Sequence, residues 1–368
     1  MAAPLEAGGA PAAPPGMRSV VERLSPGAEI VGCEPLGSSG GGGATEKCAG
    51  YGLPLRILLR TASGEPDALV FRTASADVFG HDRRADRAAE LLLAFDTFGE
   101  LPGHVEAVDV GAFAPEGLRS LRDAGEFYLV TRYARGEPYA ADLRRIAQDG
   151  RLVPLDVERL DALLGWLAGL GAPAAEDPAG WRRSLRDVLG SGEGLFGIVD
   201  AYPPDTPGAP PALLRELEHL ALDWRWKLRA RHGRLRRIHG DFHPFNILFE
   251  GGTRFTVLDA SRGSRGDPAD DLTALAVNFP FFAVGAPPAG RGALGVLWDR
   301  LWAAWPRLTG DAEVLEVAPP FLAWRAAVVA CPRFYPRMPA AGRERLLGLA
   351  RDALARGFDP ARAGELFS

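Results

Sequence analysis

The chain has 368 residues, of which 47% are hydrophobic and 24% are charged, and its formal net charge is −5 at pH 7. These values are typical of a globular protein large enough for two domains or two lobes, and they argue against a disordered chain. The acidic balance argues against a general nucleic-acid binder, which normally has a basic surface, so we expect no nucleic-acid partner. The oligomeric state stays open.

Three features bear on the cellular compartment. Residues 1–18 are rich in Ala and Pro and have no basic start followed by an apolar stretch, which predicts a disordered leader rather than a signal peptide. No apolar run reaches the length of about 18 residues that suggests a membrane span. The three cysteines are widely spaced, so we expect reduced thiols rather than a structural zinc site. We therefore predict a cytoplasmic protein with no membrane contact.

Strand and turn signals dominate residues 19–136, which we interpret as an N-terminal lobe. Short apolar runs alternate with turns rich in Gly, Ser and Pro, and one stretch carries apolar residues at helical spacing. A glycine-rich segment at 36–43 follows the first of these runs. The predicted strands are 30–33, 54–59, 67–72 and 126–133, and the predicted helix is 83–98.

Helical patterns dominate residues 137–368, which we interpret as a C-terminal lobe. Two short strands, 235–238 and 255–258, interrupt the helices. The fold class predicted from this order is α+β, with a small antiparallel-sheet lobe that contains one helix and a larger, mostly helical lobe. The predicted helices are 155–170, 212–231, 267–282, 292–305, 314–330 and 343–356.

A polar segment lies between the two short strands, with the sequence His-Gly-Asp-Phe-His-Pro-Phe-Asn at 239–246. It contains Asp241 and Asn246, and Asp259 follows the next strand. Transfer of a phosphoryl group needs a carboxylate that orients and deprotonates the acceptor hydroxyl, and Mg²⁺ held by oxygen ligands. If the two strands pair in antiparallel fashion, these three side chains converge on one ion and one hydroxyl.

The segment resembles the catalytic loop of the aminoglycoside phosphotransferase/choline kinase family, whose members are relatives of the protein kinases that act on small molecules. The likeness rests on His-Gly-Asp-x-x-x-x-Asn at 239–246, on Asp259, and on Gly-Asp-Pro-Ala-Asp-Asp-Leu at 266–272. It implies a two-lobed, protein-kinase-like fold. It also implies ATP- and Mg²⁺-dependent phosphorylation of a hydroxyl on a small-molecule partner.

The resemblance also implies a role for each residue of the motif. Asp241 is the catalytic base, and Asn246 and Asp259 are the Mg²⁺ ligands. His239 and Asp271 support the catalytic loop. Ala260 and Ser261 stand where the family usually has an aromatic and an acidic residue, so a second carboxylate contact near the metal is not expected.

The predicted nucleotide-binding residues match the kinase pattern less closely than the catalytic loop does. Kinases place a basic residue on the third strand, paired with a glutamate on the following helix, to hold the phosphates. By position these are Arg72 and Glu90, although Arg72 also fits a surface residue at a strand end. The backbone around Thr131 and Tyr133 corresponds to the interlobe hinge that pairs with adenine.

The glycine-rich segment has two readings. Gly41 and Gly42 fit a turn whose backbone N–H groups cover the phosphates, but a polyglycine run is also typical of a flexible linker. Lys47, one of only two lysines in the chain, lies close to this segment and fits either a phosphate contact or a solvated surface residue.

Several alternatives remain open. His239 and His243 around Asp241 could suggest a transition-metal site, although His at this spacing converge only on a helix. The protein could be a nucleotide-binding pseudokinase, or a choline, amino-alcohol or sugar kinase. A protein kinase is disfavoured, because too few residues separate Asp259 from Gly266 for an activation segment.

Two sets of residues could contact the acceptor. Candidate cage aromatics for choline are Trp302, Trp305, Trp324, Phe334 and Tyr335. Candidate carboxylates for aminoglycosides are Asp311, Glu313, Glu316, Glu344, Asp352 and Glu365.

Overall fold

The computed structural model divides the chain into two compact units, Met1–Thr131 and Arg132–Ser368. Each unit has its own hydrophobic core. The predicted positions Gly41, Gly42 and Lys47, and most of the predicted strand 126–133, lie outside the described residues. The structure describes residues 12–35, 54–77, 81–97, 105–125, 131, 133–171, 176–190, 192–260 and 264–368.

An antiparallel sheet with the order β1-β2-β3 forms the described centre of the first unit. Its strands are β1 (Glu29–Pro35), β2 (Leu55–Arg60) and β3 (Pro66–Phe71). Alternate residues of β2 are buried, as expected when one face of a strand covers a core. A helix, α1 (Met17–Leu24), packs its apolar side into the same core. The buried residues are Met17, Val20, Val21, Leu55, Ile57 and Leu59.

Helix α1 was not predicted, and it overlaps the last two residues of the leader predicted at 1–18. Its apolar residues recur at helical spacing, so burial against the sheet stabilises eight residues that would be marginal as an isolated helix. The first unit therefore contains this helix in addition to α2 (Arg84–Thr97), which matches the one predicted helix. A hairpin of β4 (Gly111–Ala114) and β5 (Gly117–Ser120) completes the described part.

The second unit is mostly helical and is built around buried aromatic residues, among them Trp181, Trp298 and Phe279. Proline stands in the first turn of many of its helices, where the missing N–H group costs no hydrogen bond. The helices are α3 (Tyr139–Asp149), α4 (Pro154–Leu170), α5 (Pro178–Leu189), α6 (Leu195–Asp200), α7 (Pro211–Leu228), α8 (Pro268–Ala276), α9 (Asn278–Ala283), α10 (Pro288–Thr309), α11 (Val314–Val317), α12 (Pro319–Ala330), α13 (Ala340–Arg356) and α14 (Pro360–Ala363).

Short strands in the second unit carry the predicted catalytic loop, but their pairing differs from the prediction. The strands are β6 (Glu137–Pro138), β7 (Arg236–Arg237), β8 (Ile247–Gly251), β9 (Arg254–Val257) and β10 (Arg265–Gly266). The predicted pair was β7 with β9. Instead, β7 pairs with β10, and β9 pairs with β8, a strand that was not predicted. The pairing was wrong because the turn at Gly251 and Gly252 closes a hairpin immediately after the loop.

The α+β fold class is confirmed, with small antiparallel sheets and many helices. Two predicted helices are each divided in two. The predicted helix 267–282 ends at Ala276 and restarts at Asn278, and Pro319 starts a new helix within 314–330. Among the helices of the described residues, none combines the length and apolarity that crossing a membrane requires.

Candidate active site

The β8–β9 hairpin brings Asn246 and Asp259 to one end of the same sheet. Asn246 directly precedes β8, Ile247 pairs with Val257, and the N–H of Leu258 donates to the Asn246 carbonyl at 2.8 Å. Asp259 follows at once and has a φ of +54°, in the left-handed region that Asp tolerates better than most residues. The hairpin therefore places a carboxylate beside the residue that ends the catalytic loop.

The start of the loop is held by the first turn of α8. The Asp271 carboxylate accepts hydrogen bonds from the backbone N–H of His239 at 2.7 Å and of Gly240 at 2.8 Å. Gly240 has a φ of +85°, which a residue with a Cβ adopts only with strain. Asp267 caps α8 by accepting from the N–H of Ala269, which fixes the helix that carries Asp271. The glycine at 240 therefore shapes the backbone that donates these hydrogen bonds, and the cap at Asp267 positions the carboxylate that accepts them.

The centre of the loop is closed by bonds to the Asp241 backbone. The Asp241 carbonyl accepts from the N–H of His243 at 2.9 Å and from the Asn246 side-chain amide at 3.1 Å. Because the Asn246 amide nitrogen is used in this way, its amide oxygen is the atom that remains as a candidate ligand. The loop thus fixes the two motif residues to each other.

An aromatic contact anchors the residue after Asp241. The side chain of Phe242 is fully buried and stacks on Trp166 of α4, with ring centroids 5.3 Å apart and an interplanar angle of 11°. His239 meets the same two rings edge-on at 6.3 and 5.7 Å. Since Phe242 cannot leave this position without exposing a large apolar surface, the backbone of Asp241 is fixed from both sides.

Arg325 on α12 holds the Asp241 side chain, and the sequence analysis missed it. Its guanidinium donates to Asp241 Oδ1 at 2.6 Å, to the Gly240 carbonyl at 2.7 Å and to Asp270 Oδ1 at 2.6 Å. The Arg325 side chain is only 4% exposed. A sequence signal exists: Arg325 is the lone charge in the apolar stretch 317–332. Such a residue is buried only when it is paired.

Burial and neighbouring charges shift the pKa values around the loop. Burial first, and then the charge of Asp270, raise the pKa of Asp271 to about 7, although the two backbone N–H groups act in the opposite direction. Burial lowers the pKa of His239, which favours the neutral imidazole. Burial alone would lower the pKa of Arg325, but Asp270 and Asp241 more than offset it and raise that pKa. Arg325 is therefore a fixed positive charge.

The chemistry of two side chains fits a magnesium ion. The Asp259 carboxylate is exposed and has no ion-pair partner within the described ranges, and the backbone of Asn246 pairs with the residue before it in the hairpin. Mg²⁺ prefers such oxygen ligands and usually takes only one or two from the protein. Within the part of the chain that the structure describes, no group of three or more His, Cys, Asp or Glu side chains forms a metal cluster.

In the first unit, the predicted pair of Arg72 and Glu90 is not formed. Arg72 follows β3 directly, is exposed and has no ion-pair partner among the described residues. Glu90 on α2 instead places Oε2 at 2.9 Å from Nδ1 of His81. His81 lies just before α2 and reaches Glu90, a contact that the spacing of Arg72 and Glu90 does not reveal, and the roles of Arg72 and Glu90 at the nucleotide stay predictions.

The predicted hinge residues lie outside any described strand. Thr131 and Tyr133 are both exposed, and the Tyr133 side chain is 89% exposed. The adenine contact predicted for them is a main-chain contact, and the preceding residues 126–130 are outside the described ranges. Gly41, Gly42 and Lys47 are outside them as well, so their predicted roles stay predictions.

The structure places the two sets of candidate acceptor residues differently. Trp302, Trp305 and Trp324 are buried in the core and cannot form a cage at a surface. Phe334 is half-exposed, and Tyr335 lies partly buried next to it. Most of the candidate carboxylates already pair with arginines. The paired ones are Asp311, Glu313, Glu316 and Asp352.

The solved structures to which this chain is similar include three kinds of small-molecule kinase. A glucosamine kinase is 22% identical, covers 57% of each chain and has a TM-score of 0.41, so this chain spans just over half of that enzyme. An aminoglycoside phosphotransferase from Streptomyces rimosus is 17% identical and covers 85% of this chain and 98% of its own, with a TM-score of 0.32. A choline kinase from Cryptosporidium parvum is 11% identical and covers 95% and 92%, with a TM-score of 0.26.

The family assignment rests on the sequence rather than on these likenesses. A search of curated protein sequences gives no significant match. The sequence model of the phosphotransferase enzyme family matches residues 54–310, well over half of the chain. The matched range includes Asp241, Asn246, Asp259 and Asp271. The chain therefore belongs to the phosphotransferase enzyme family.

Proposed function

We propose that the protein transfers the γ-phosphoryl group of ATP to a hydroxyl of a small molecule, with Mg²⁺ as cofactor. The observation that carries this proposal is the catalytic loop itself. Its Asp241 is held through its backbone by Asn246 and through its side chain by Arg325, next to the hairpin that presents Asp259. Phosphoryl transfer depends on positioning and charge stabilisation, which such a rigid loop provides.

Asp241 is the base in this proposal. We assign Asp241 Oδ2 to the acceptor hydroxyl; Arg325 donates to Oδ1, and His243 Nε2 lies 3.5 Å from Oδ2. The hydroxyl gives its proton to Asp241 as its oxygen forms a bond to the γ-phosphorus. The bond from that phosphorus to the β,γ-bridging oxygen breaks, and ADP leaves with the electron pair. Arg325 contacts the base rather than the reacting atoms, so it is a positioning residue.

Asn246 and Asp259 are the residues that would hold the Mg²⁺. Bound there, the ion supplies positive charge that offsets the charge of the phosphate oxygens. The chain supplies the rest of the arrangement: the Asn246 amide nitrogen stays on the Asp241 carbonyl while its oxygen serves as ligand. His239 and Asp271 keep the start of the loop in place, because the Asp271 carboxylate holds two consecutive backbone N–H groups.

For the nucleotide, we assign Arg72 to the phosphates. Its guanidinium has no ion-pair partner among the described residues, so no contact has to break before it binds an anion. Gly41, Gly42 and Lys47 are assigned to the phosphate-covering loop, and the backbone at Thr131 and Tyr133 to adenine. Glu90 keeps its predicted role only if it exchanges His81 for Arg72 when nucleotide binds.

A phosphate-transfer screen tests the proposal. The purified protein is incubated with ATP labelled at the γ-phosphate and with amino sugars, amino alcohols, nucleosides and neutral sugars, with Mg²⁺ or with a chelator. We expect labelled product from at least one acceptor class, and none with the chelator.

A parallel thermal-shift titration separates the rival function. A pseudokinase would be stabilised by ATP without transferring label to any acceptor. Stabilisation by ATP that does not depend on Mg²⁺, together with no labelled product from any acceptor, would contradict the proposed enzyme.

A further inference from the structure

A continuous row of aromatic side chains begins at the catalytic loop, and we call it the aromatic wall: Phe245, Phe282, Phe281 and Tyr335. Phe245 directly precedes Asn246 and stacks on Phe282 of α9 with centroids 6.2 Å apart. Phe282 contacts Phe281 edge-on at 5.1 Å, and Phe281 contacts Tyr335 at 4.6 Å. The wall is therefore one connected surface made from three separate segments of the second unit.

Both ends of the wall are close to Asp241. At one end, the Phe245 ring lies 5.8 Å from the His243 ring, and His243 Nε2 is 3.5 Å from Asp241 Oδ2. At the other end, the pKa of Tyr335 is raised by burial and by the negative charge of Asp241, which places the phenol within electrostatic reach of that carboxylate. A molecule that contacts Asp241 therefore meets this wall.

The wall is accessible, unlike the aromatic residues of the core. The Phe245 side chain is 36% exposed, and Phe281, Phe282 and Tyr335 are partly buried, each packed on the core with one side. In contrast, Trp298 and Phe279 of the same unit are fully buried. The exposed parts of these rings offer apolar surface beside the catalytic loop.

Positive charge lies beside the wall. The Arg144 guanidinium carbon lies 6.0 Å from the centre of the Phe282 ring, and α3, which carries Arg144, contacts both α9 and the turn at 244–246. Arg333 and Arg337 stand on either side of Tyr335 in the chain. All three arginines are exposed, and none forms an ion pair with another described residue. Their charges are thus not neutralised by the protein.

Much of the negative charge that a polycationic acceptor would need is already paired with arginines. Asp311, Glu313 and Glu316 pair with Arg231 and Arg234, and Asp352 pairs with arginines of the C-terminal helices. Near the base, Asp270 is neutralised by Arg325. At the wall, an aminoglycoside-type cation would meet Arg144, which has no ion-pair partner among the described residues, and like charges disfavour binding.

We propose that the aromatic wall binds the acceptor, and that the acceptor is an uncharged or anionic hydroxyl compound with an apolar ring face. The inference deepens the proposed function and rests on it. The apolar ring lies on Phe282 and Phe245, which brings the hydroxyl to Asp241. An anionic substituent, where present, pairs with Arg144. Polycationic amino sugars are excluded from this surface.

Binding of four matched probes to the full chain, without nucleotide, tests the inference. The probes are phenyl β-D-glucoside, which is neutral with an aromatic ring; phenyl β-D-glucuronide, which is anionic with an aromatic ring; glucose, which has no aromatic ring; and kanamycin, which is polycationic. Dissociation constants come from calorimetry and ligand-observed NMR. We expect both phenyl probes to bind at least about tenfold more tightly than glucose, and kanamycin not to bind at this surface.

Two variants and one control locate the site. Phe282→Leu keeps an apolar side chain and loses the ring, so the dissociation constants of both phenyl probes should rise about three- to tenfold. Arg144→Glu is exposed and should weaken the glucuronide selectively, again by about tenfold. Arg351→Glu, an exposed arginine on α13 without an ion pair among the described residues, should change neither probe. Thermal melts check that each variant is folded.

The outcomes separate the two proposals. Kanamycin binding more tightly than the phenyl probes, no binding by either phenyl probe, or unchanged binding in both variants overturns the acceptor inference. Probe binding that weakens in the variants, while no acceptor in the phosphate-transfer screen becomes labelled, leaves the surface assignment standing and overturns the proposed phosphoryl transfer instead.

Discussion

The catalytic loop and the nucleotide-binding candidates of the first unit differ in how their residues are held. Asp241 and Asn246 are fixed to each other, and the loop around them is held by Asp271 and Arg325 through hydrogen bonds of 2.6 to 3.1 Å. Arg72 has no such partner among the described residues, and Glu90 contacts His81. The contacts of the chain with itself already assemble the catalytic loop. Arg72 and Glu90, in contrast, do not contact each other.

The difference shows what each kind of motif requires. A rigid loop can orient a base before substrate arrives, so its geometry is encoded in contacts that the protein makes with itself. A phosphate-binding arginine needs its anion to complete the arrangement. This difference predicts large, cooperative effects on turnover and stability when residues of the loop are changed. Changes in the first unit should have small, independent effects on nucleotide binding.

Replacing the proposed base, Asp241, tests the catalytic loop most directly. Asp241→Asn keeps the shape and the Arg325 contact but removes the proton acceptor, so turnover should fall by about 10²–10⁴-fold while ATP still binds. The measurement is the rate of phosphate transfer together with a nucleotide titration. Asp223→Asn, an exposed aspartate on α7, is the matched control. Normal turnover in Asp241→Asn would remove the base from the mechanism.

The contribution of Arg325 to stability is the next largest effect. Arg325→Met removes the buried cation that contacts both Asp241 and Asp270, which should cost about 3–5 kcal/mol in the free energy of unfolding. Denaturant titration measures it, and the exposed Arg351→Met should change stability by less than about 0.5 kcal/mol. Adding Asp270→Asn to Arg325→Met should restore part of the loss. Equal stability of Arg325→Met and the wild type would show that the buried cation is not needed.

Asp271 should give stability an unusual pH dependence. Its folded-state pKa is raised from 3.8 to about 7, so the folded chain binds this proton more tightly than the unfolded chain does. Its contribution to stability is present below pH 3.8 and is lost as the pH rises toward 7. The groups that act on it are Asp270 and Arg325, and the backbone N–H groups of His239 and Gly240.

The variant Asp271→Asn isolates that contribution. The free energy of unfolding of the wild type relative to Asp271→Asn should fall between pH 4 and pH 7, by at most about 1.4 kcal/mol per pH unit. Denaturant titrations at three pH values measure both proteins, and groups common to both cancel in the difference. Parallel pH profiles would show that Asp271 is ionised in the folded state throughout this range.

The smallest effect is expected in the first unit. Arg72→Gln should raise the dissociation constant for ATP about tenfold, because it removes one charge-assisted contact to phosphate. Glu90→Gln should change it little, and the double variant should show a coupling energy below about 0.5 kcal/mol, as for residues that do not touch. A coupling above about 1 kcal/mol would mean that the two side chains pair when nucleotide is bound.

The fold could be predicted largely because its signals are local. A short apolar run bounded by turns predicted β2, and apolar residues at helical spacing predicted α2. The strand pairing around the loop was wrong, since which short strands pair depends on contacts between segments that no periodicity records. Helix α1 was missed for the same reason: eight residues form a helix only because the sheet buries them.

The candidate site also combines residues that local sequence signals predict with residues that only contacts between distant segments reveal. Asp241, Asn246 and Asp259 could be predicted as one group because they belong to one loop and the hairpin that follows it. Arg325 is 84 residues beyond Asp241 in the chain. A lone buried charge indicates that a partner exists but does not identify it. The aromatic wall could not be found from the sequence, because its members come from three segments and each looks like ordinary core packing.

The left-handed backbone at Asp259 has a consequence for how this protein would evolve. A non-glycine residue at a φ of +54° costs roughly 1–2 kcal/mol, a strain that glycine would relieve. Selection for thermal stability alone should therefore carry Asp259→Gly to high frequency in a mutant library. Selection for phosphate transfer should retain the aspartate, so position 259 records which of the two pressures a population has experienced.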